Sequence, residues 1–258
     1  MPLAAANKLL MTLPGHSAAV WRASDLGQAD SVALASGHPL LDAQLPGGGW
    51  PAGAASEILQ PVGVFLEWRL LLPALGRLTR SRPGVLVLIG PPHVPFGPGL
   101  CAQGLEARRL LWIRPAQAQE RLWSCEQALR CADVLAVLAW LPQARPEHLR
   151  RLQLAAQSHA KFLFVMRSAQ ARDESSAALL RLLLEPASAA GQAVDHTADA
   201  LRLHILKRRG PPLTQPLLLP ARPARLAALL GLQRRPGADN NAQGLEHNHA
   251  VDRLTAAA

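Results

Sequence analysis

The chain has 258 residues, 49% of them hydrophobic, and a formal net charge of +9 carried almost wholly by arginine, since Lys8, Lys161 and Lys207 are its only lysines. That length and apolar share suffice for one substantial core; no apolar run approaches the roughly 18 residues needed to cross a bilayer, which excludes a spanning helix and predicts a cytoplasmic protein with no membrane partner. Cys101, Cys125 and Cys131 are odd in number and have no C-x-x-C spacing, which argues against a disulfide framework or zinc site and predicts buried or half-buried thiols.

Residues 1–30 mix small and polar types and read as an arm, with Trp21 and Arg22 the part able to dock. A core over residues 31–232 follows. It opens with a short amphipathic turn of helix running into Gly47, Gly48 and Gly49, which permit positive φ. A buried strand at 56–59 then feeds a helix that begins near Gly63 and runs through 67–80. Beyond it, β-type runs at 85–89, 110–113, 134–140 and 162–166 alternate with helical stretches at 116–130 and 147–159. Alternation of this kind predicts an α/β fold, a mostly parallel twisted sheet with helices on both faces. Residues 175–184 are apolar round much of a helical circumference, which predicts a helix that is deeply buried or meets another chain. Runs at 201–206 and 213–218 predict two neighbouring strands joined by the basic turn Lys207-Arg208-Arg209-Gly210-Pro211-Pro212. Residues 233–258 are polar, rich in Gly, Asn and Gln and aperiodic, the composition of a disordered tail.

A phosphate-binding loop needs glycines whose N–H groups wrap the phosphates, a lysine for the terminal oxygens and a hydroxyl for Mg²⁺. None of the three lysines follows a glycine: the pairs are Asn7-Lys8, Ala160-Lys161 and Leu206-Lys207. The G-x-x-x-x-G spacing from Gly48 to Gly53 is followed by Ala54-Ala55 and precedes the strand, so it is a false match.

The frame around the missing loop is nevertheless familiar. Gly37-His38-x-x-Leu41-Asp42, Leu45-Pro46-Gly47-Gly48-Gly49-Trp50-Pro51 and Glu57-Ile58 resemble the entry to the RecA core and, more closely, the ImuA family of RecA-like proteins associated with translesion DNA synthesis. Gly90-Pro91-Pro92-His93, Leu138-Ala139-Trp140 and Lys207-Arg208-Arg209-Gly210 follow in the expected order. The resemblance implies a RecA-like P-loop NTPase core with a degenerate loop, in which Gln60 and Phe65 stand for two glycines, Leu66 for the lysine and Glu67 for the threonine. It also places Leu138 where a metal-binding aspartate would end its strand, and Pro92 where a catalytic glutamate would precede His93. A carboxylate near 4 Å from a phosphate charge repels it by about 4 kcal/mol at an effective dielectric of 20. The expectation is therefore no catalysis, no cofactor and no metal; the alternative is a divergent nucleotide-binding protein with Mg²⁺ on Glu67 or Asp133.

As the resemblance implies, the function is that of a non-catalytic adaptor in the SOS response and mutagenic translesion synthesis, contacting an ImuB-type inactive Y-family polymerase homologue, RecA and an error-prone C-family replicative polymerase. The alternative is a DNA-binding recombination regulator. Lys207, Arg208 and Arg209 on their turn, with Arg150 and Arg151 on a helix, are the candidate DNA- or partner-binding residues. Self-association through an apolar helix face is a further expectation. Trp50, Trp68, Trp112, Trp123 and Trp140 read as core or rim packing, because no interleaving of aromatic and basic residues marks a base-stacking surface.

Overall fold

The computed structural model describes residues 32–187 and 200–220; the expected arm, the tail and the end of the core at 221–232 lie outside the described residues. Strand β1 (Ala33–Leu34) pairs antiparallel with β2 (Trp50–Pro51), and between them lie the short helix α1 (Pro39–Asp42) and a 3₁₀ turn at Pro46–Gly48. Gly37 allows this entry to close: its φ is +92°, and a Cβ there would lie 2.5 Å from Cβ of Pro73.

The main chain then alternates as its sequence directs. Strand β3 (Ala54–Gln60) leads to helix α2 (Glu67–Ser81), then β4 (Val85–Ile89), the short helix α3 (Gly97–Ala102) and β5 (Leu110–Ile113). Helix α4 (Ala118–Arg130), β6 (Val134–Trp140), α5 (Pro146–Ser158) and β7 (Phe162–Ser168) follow. Strands β8 (Leu180–Pro186), β9 (Ala200–Lys207) and β10 (Leu217–Pro220) complete an eight-stranded sheet of order β10-β9-β8-β3-β7-β6-β4-β5. The pairs from β8 through β3, β7, β6 and β4 to β5 are parallel, whereas β9 is antiparallel to both β8 and β10. The result is an α/β fold with helices flanking a mixed sheet.

All seven residues of β3 are buried, as a central strand covered on both faces requires. On one face, Ile58, Leu88, Leu138, Phe164 and Leu182 pack with Leu70, Leu71 and Leu75 of α2. On the other, Val87, Val137, Leu163 and Val165 meet Leu129 of α4 and Leu149, Leu152 and Ala156 of α5. Helix α4 starts where the Glu120 carboxylate accepts the N–H groups of Ala116 and Gln117 at 2.9 and 3.2 Å, meeting donors that have no helical partner. Among the described residues no helix is long and apolar enough to cross a membrane.

Three expectations are corrected. Residues 175–184 form no helix: 180–184 are the start of β8, inserted beside β3. A run buried on both faces shows no strand alternation, so periodicity does not separate it from a buried helix. Helix α2 begins at Glu67 rather than near Gly63, because residues 61–66 turn first, with the Val64 N–H on the Pro61 carbonyl at 3.1 Å and Gly63 at φ +78°. The last strand pairs at Leu217–Pro220, antiparallel to β9 and later than 213–218; Pro211, Pro212 and Pro216 offer no N–H to a ladder.

Candidate functional site

The residues that would hold a phosphate loop lie at the C-terminal end of β3, on the sheet edge where ligands of open α/β sheets bind. A cleft of about 520 Å³ opens there, lined by the 60–65 turn, Gly90 to Pro92, Arg121, Trp140, Pro142 and 166–168. The turn is bound to its own side chains. The Leu66 N–H donates to Oε1 of Gln60 at 2.6 Å, Nε2 of Gln60 donates to Oε2 of Glu67 at 2.9 Å, and Nε1 of Trp140 donates to Oε1 of Glu67 at 3.3 Å. Glu67 is only 2% exposed. Gln60 thus takes up a backbone donor that a nucleotide loop would turn toward phosphate, and a buried carboxylate stands beside it. Above the turn, Phe65 packs edge-on against His93 with centroids 4.5 Å apart.

The other positions of the expected nucleotide site are equally changed. Leu138 is fully buried in the α2-side core, and Pro92 and His93 are exposed. Asp133 immediately precedes β6, whereas Glu67 follows β3; since β3, β7 and β6 run parallel, the two carboxylates lie at opposite edges of the sheet and cannot share one ion. Among the described residues no group of three or more His, Cys, Asp or Glu is placed to hold a metal.

Sequence reasoning missed the strongest electrostatic feature. Glu57 of β3, fully buried, accepts from Arg167 at 2.8 Å and from Arg181 at 2.7 Å, with those side chains 2% and 9% exposed. Register explains the meeting: Glu57 lies directly opposite Arg181, and Arg167 is two residues beyond its partner in β7. Arg167 also reaches Glu174 at 2.7 Å and the Ala144 carbonyl at 2.8 Å, and Arg181 reaches the carbonyls of Ala171 and Arg172 at 2.8 and 3.1 Å. Burial alone would lower the pKa of Arg167, but the hydrogen bonds it donates to Glu174 and Glu57 raise it above the usual value. The signal available in the sequence was charge inside apolar runs: Glu57, Arg167 and Arg181 each interrupt a strand otherwise buried.

The two predicted basic groups are not brought together. Lys207 pairs with Arg181 at the start of β8, so Lys207, Arg208 and Arg209 occupy the edge opposite the cleft. Two of the three are engaged. Lys207 donates to the Ser176 carbonyl at 2.9 Å; Arg208 donates to the Gln44 carbonyl, to Oε1 of Gln44 at 3.0 Å and to the Pro211 carbonyl at 3.0 Å. Arg209 is exposed. Arg150 and Arg151 lie in the first turns of α5; Arg151 pairs with Glu126 at 2.6 Å, and Arg150 is exposed. Cys125 is buried, which pushes its thiol pKa up, but Cys101 and Cys131 are exposed, against expectation. Both lie at the C-terminal end of a helix, Cys101 in the last turn of α3 and Cys131 just past α4, where an aperiodic boundary gives no burial signal. Trp50 and Trp140 are core residues, but Trp123 is 63% exposed and belongs to neither core nor rim.

No family model matches the chain. The protein ImuA of Caulobacter vibrioides, in two strains, is 31% identical to it over 140 residues, covering 52% of this chain and 56% of that protein. The chain is distantly similar to ImuA proteins. A cell division inhibitor SulA of Edwardsiella piscicida is 35% identical over 89 residues, 34% of this chain and 53% of that protein. The chain spans about half the length of the curated relatives it matches.

Proposed function

We propose that this protein is a non-catalytic, RecA-like accessory protein of the DNA-damage response, an adaptor in mutagenic translesion synthesis that meets an ImuB-type polymerase homologue, RecA and an error-prone C-family polymerase. The reading is carried by one observation: the place of a phosphate loop is filled by Gln60 and the buried Glu67, tied to each other and to Trp140. Binding a nucleotide there would require breaking these bonds and bringing phosphate charge against a carboxylate. The central position of β3 between parallel strands supports the RecA-like assignment, and the similarity to ImuA supports the cellular setting. A frame that keeps its core while losing its chemistry still presents helix and loop surfaces to partners. Core residues 31–232 carry those surfaces, flanked by an arm and a tail, and of the five candidate cations Arg150 and Arg209 are the two open to an acidic partner: neither has a hydrogen bond or ion pair among the described residues.

The test has two arms. Calorimetry with ATP and Mg²⁺ is expected to show no binding, and purified ImuB-type polymerase homologue and RecA are expected to be retained by the immobilised chain. Micromolar ATP affinity lost in Glu67→Ala would refute the non-catalytic reading and revive a divergent nucleotide-binding protein. Failure to retain either partner would refute the adaptor.

A further inference from the structure

Helices α4 and α5 leave a groove of about 890 Å³ between them, at the edge of the sheet that carries the cleft. Its lining includes Arg121 and Trp123 from α4, and Arg145, His148 and Arg151 from the start of α5. Among the described residues no carboxylate lines it. The nearby acidic groups are turned to other tasks: Glu126, with its side chain 12% exposed, is held by Arg151; Glu120 caps α4; Glu147 stands 4.0 Å from Arg145, both largely exposed. Nε of Arg121 is buried and has no hydrogen-bond partner among the described residues. Trp123 stacks on no other ring among them. Arg121 lies over Gly90, where a Cβ would come within 3.1 Å of its Nε, and Arg121 and Pro142 line both this groove and the cleft beside β3, so the two adjoin.

We infer that this groove binds single-stranded nucleic acid, with Trp123 as the stacking platform for a base and Arg121 and Arg145 along its phosphates. A groove lined by cations and without anions selects a polyanion. The exposed indole selects among polyanions: an aromatic face can stack only on a base freed from its neighbours, so a duplex or an acidic peptide leaves Trp123 unused. Arginine planes beside a tryptophan add the stacking and cation–π contacts that single strands use. The linear sequence hides the motif because the platform and Arg121 belong to α4, whereas Arg145 stands at the start of α5. Nucleic-acid contact is thereby moved away from Lys207 to Arg209, on the opposite edge, and it stands independently of the adaptor reading.

The test uses the full chain and a fluorescein-labelled oligothymidylate of about 20 nucleotides, followed by anisotropy at about 50 and 200 mM salt and by quenching of tryptophan emission. Binding is expected to be salt-dependent and to quench emission. Trp123→Ala is expected to weaken it at least about fivefold, with partial recovery in Trp123→Phe. Arg121→Gln with Arg145→Gln is expected to lower the slope of log affinity against log salt by about 1.4, that is about 0.7 for each phosphate no longer neutralised. Trp123 and Arg145 are exposed and Arg121 is half-buried, so Trp123→Ala and Arg145→Gln alone are measured beside the double variant, and circular dichroism verifies that each keeps the fold. The inference is overturned by absence of saturable binding at the lower salt, by loss that follows Lys207→Ala/Arg208→Ala/Arg209→Ala instead of the groove variants, by equal affinity for duplex with no effect of Trp123→Ala, or by displacement of the oligonucleotide by polyglutamate at equal charge concentration.

Discussion

Glu57→Gln changes one oxygen to one nitrogen at a fully buried position and tests what holds the centre of the sheet. The carboxylate serves two guanidinium groups, at 2.8 and 2.7 Å. The amide retains one acceptor oxygen, so one arginine keeps its bond while the other faces an NH₂ group. Arg167 retains an anionic partner in Glu174; Arg181 does not, and its remaining contacts are two backbone carbonyls. Breaking a buried pair by removing one partner costs about 3–5 kcal/mol, because an uncompensated charge stays inside. For a domain of this size each kcal/mol moves Tm by about 2–4 °C, so Glu57→Gln should lower Tm by roughly 6–20 °C. Chemical denaturation should show the same loss without a change in slope. The triple variant Glu57→Leu/Arg167→Met/Arg181→Met removes all three charges and should recover at least half of that loss, since an apolar replacement avoids the desolvation of the ions. A loss below about 1 kcal/mol for Glu57→Gln, the range of surface ion pairs in general, would refute the reasoning.

Four further outcomes follow from individual contacts. Burial holds the His38 pKa below its ordinary 6.5, so the unfolded chain takes up the proton first; the stability this confers is fully present above pH 6.5 and lost as pH falls below it, by at most about 1.4 kcal/mol per pH unit. Measured at pH 7.5 and 5.5, His38→Gln should lose less stability on acidification than the parent, and an equal loss would refute the assignment. Glu67→Ala leaves Gln60 and Trp140 with unpaired buried donors and should cost about 1–3 kcal/mol in denaturant titration without creating ATP binding. Gly37→Ala combines a positive φ with a clash against Pro73 and should cost about 1–3 kcal/mol by the same measurement. Deleting 233–258, which has too little apolar surface to offset ordering entropy, should leave Tm unchanged; a fall of several degrees would show that the tail docks.

The alternation of strands and helices from β3 to β7 was legible because each element combines a clear hydrophobic period with a boundary residue: Pro146 opens α5, and Glu120 caps α4. Legibility failed where both faces of an element are buried. Leu180 to Leu184 contains four leucines and one arginine, a pattern that suits a core helix and a central strand alike. What decides is the partner, the open side of β3, which is not local information. Arg181 could have broken the tie, since in a strand it falls directly opposite Glu57, and charges of opposite sign inside two apolar runs are a pairing signal for a sheet.

The site divides along the same line. The absence of a phosphate-loop pattern could be read from single positions: no lysine follows a glycine, and Glu67 stands after the turn. What replaced it could not be read that way. The bond from Gln60 to Glu67 spans seven residues and a turn, and the one from Trp140 to Glu67 spans 73. The basic groove poses the harder case: Trp123 and Arg121 point from α4, Arg145, His148 and Arg151 from α5, and the helices become neighbours only because β6 lies beside β4 and β7. A spacing rule along one helix therefore finds half a surface, whereas the densest basic run in the chain, Lys207 to Arg209, puts two of its three cations onto backbone carbonyls. Charge density along the sequence measures how many cations a segment carries. Availability for a ligand depends on which carbonyls and carboxylates the fold brings within reach of them: the turn leaves Arg209, and the groove leaves Arg121, whose Nε has no partner among the described residues, while Arg151 is held by Glu126.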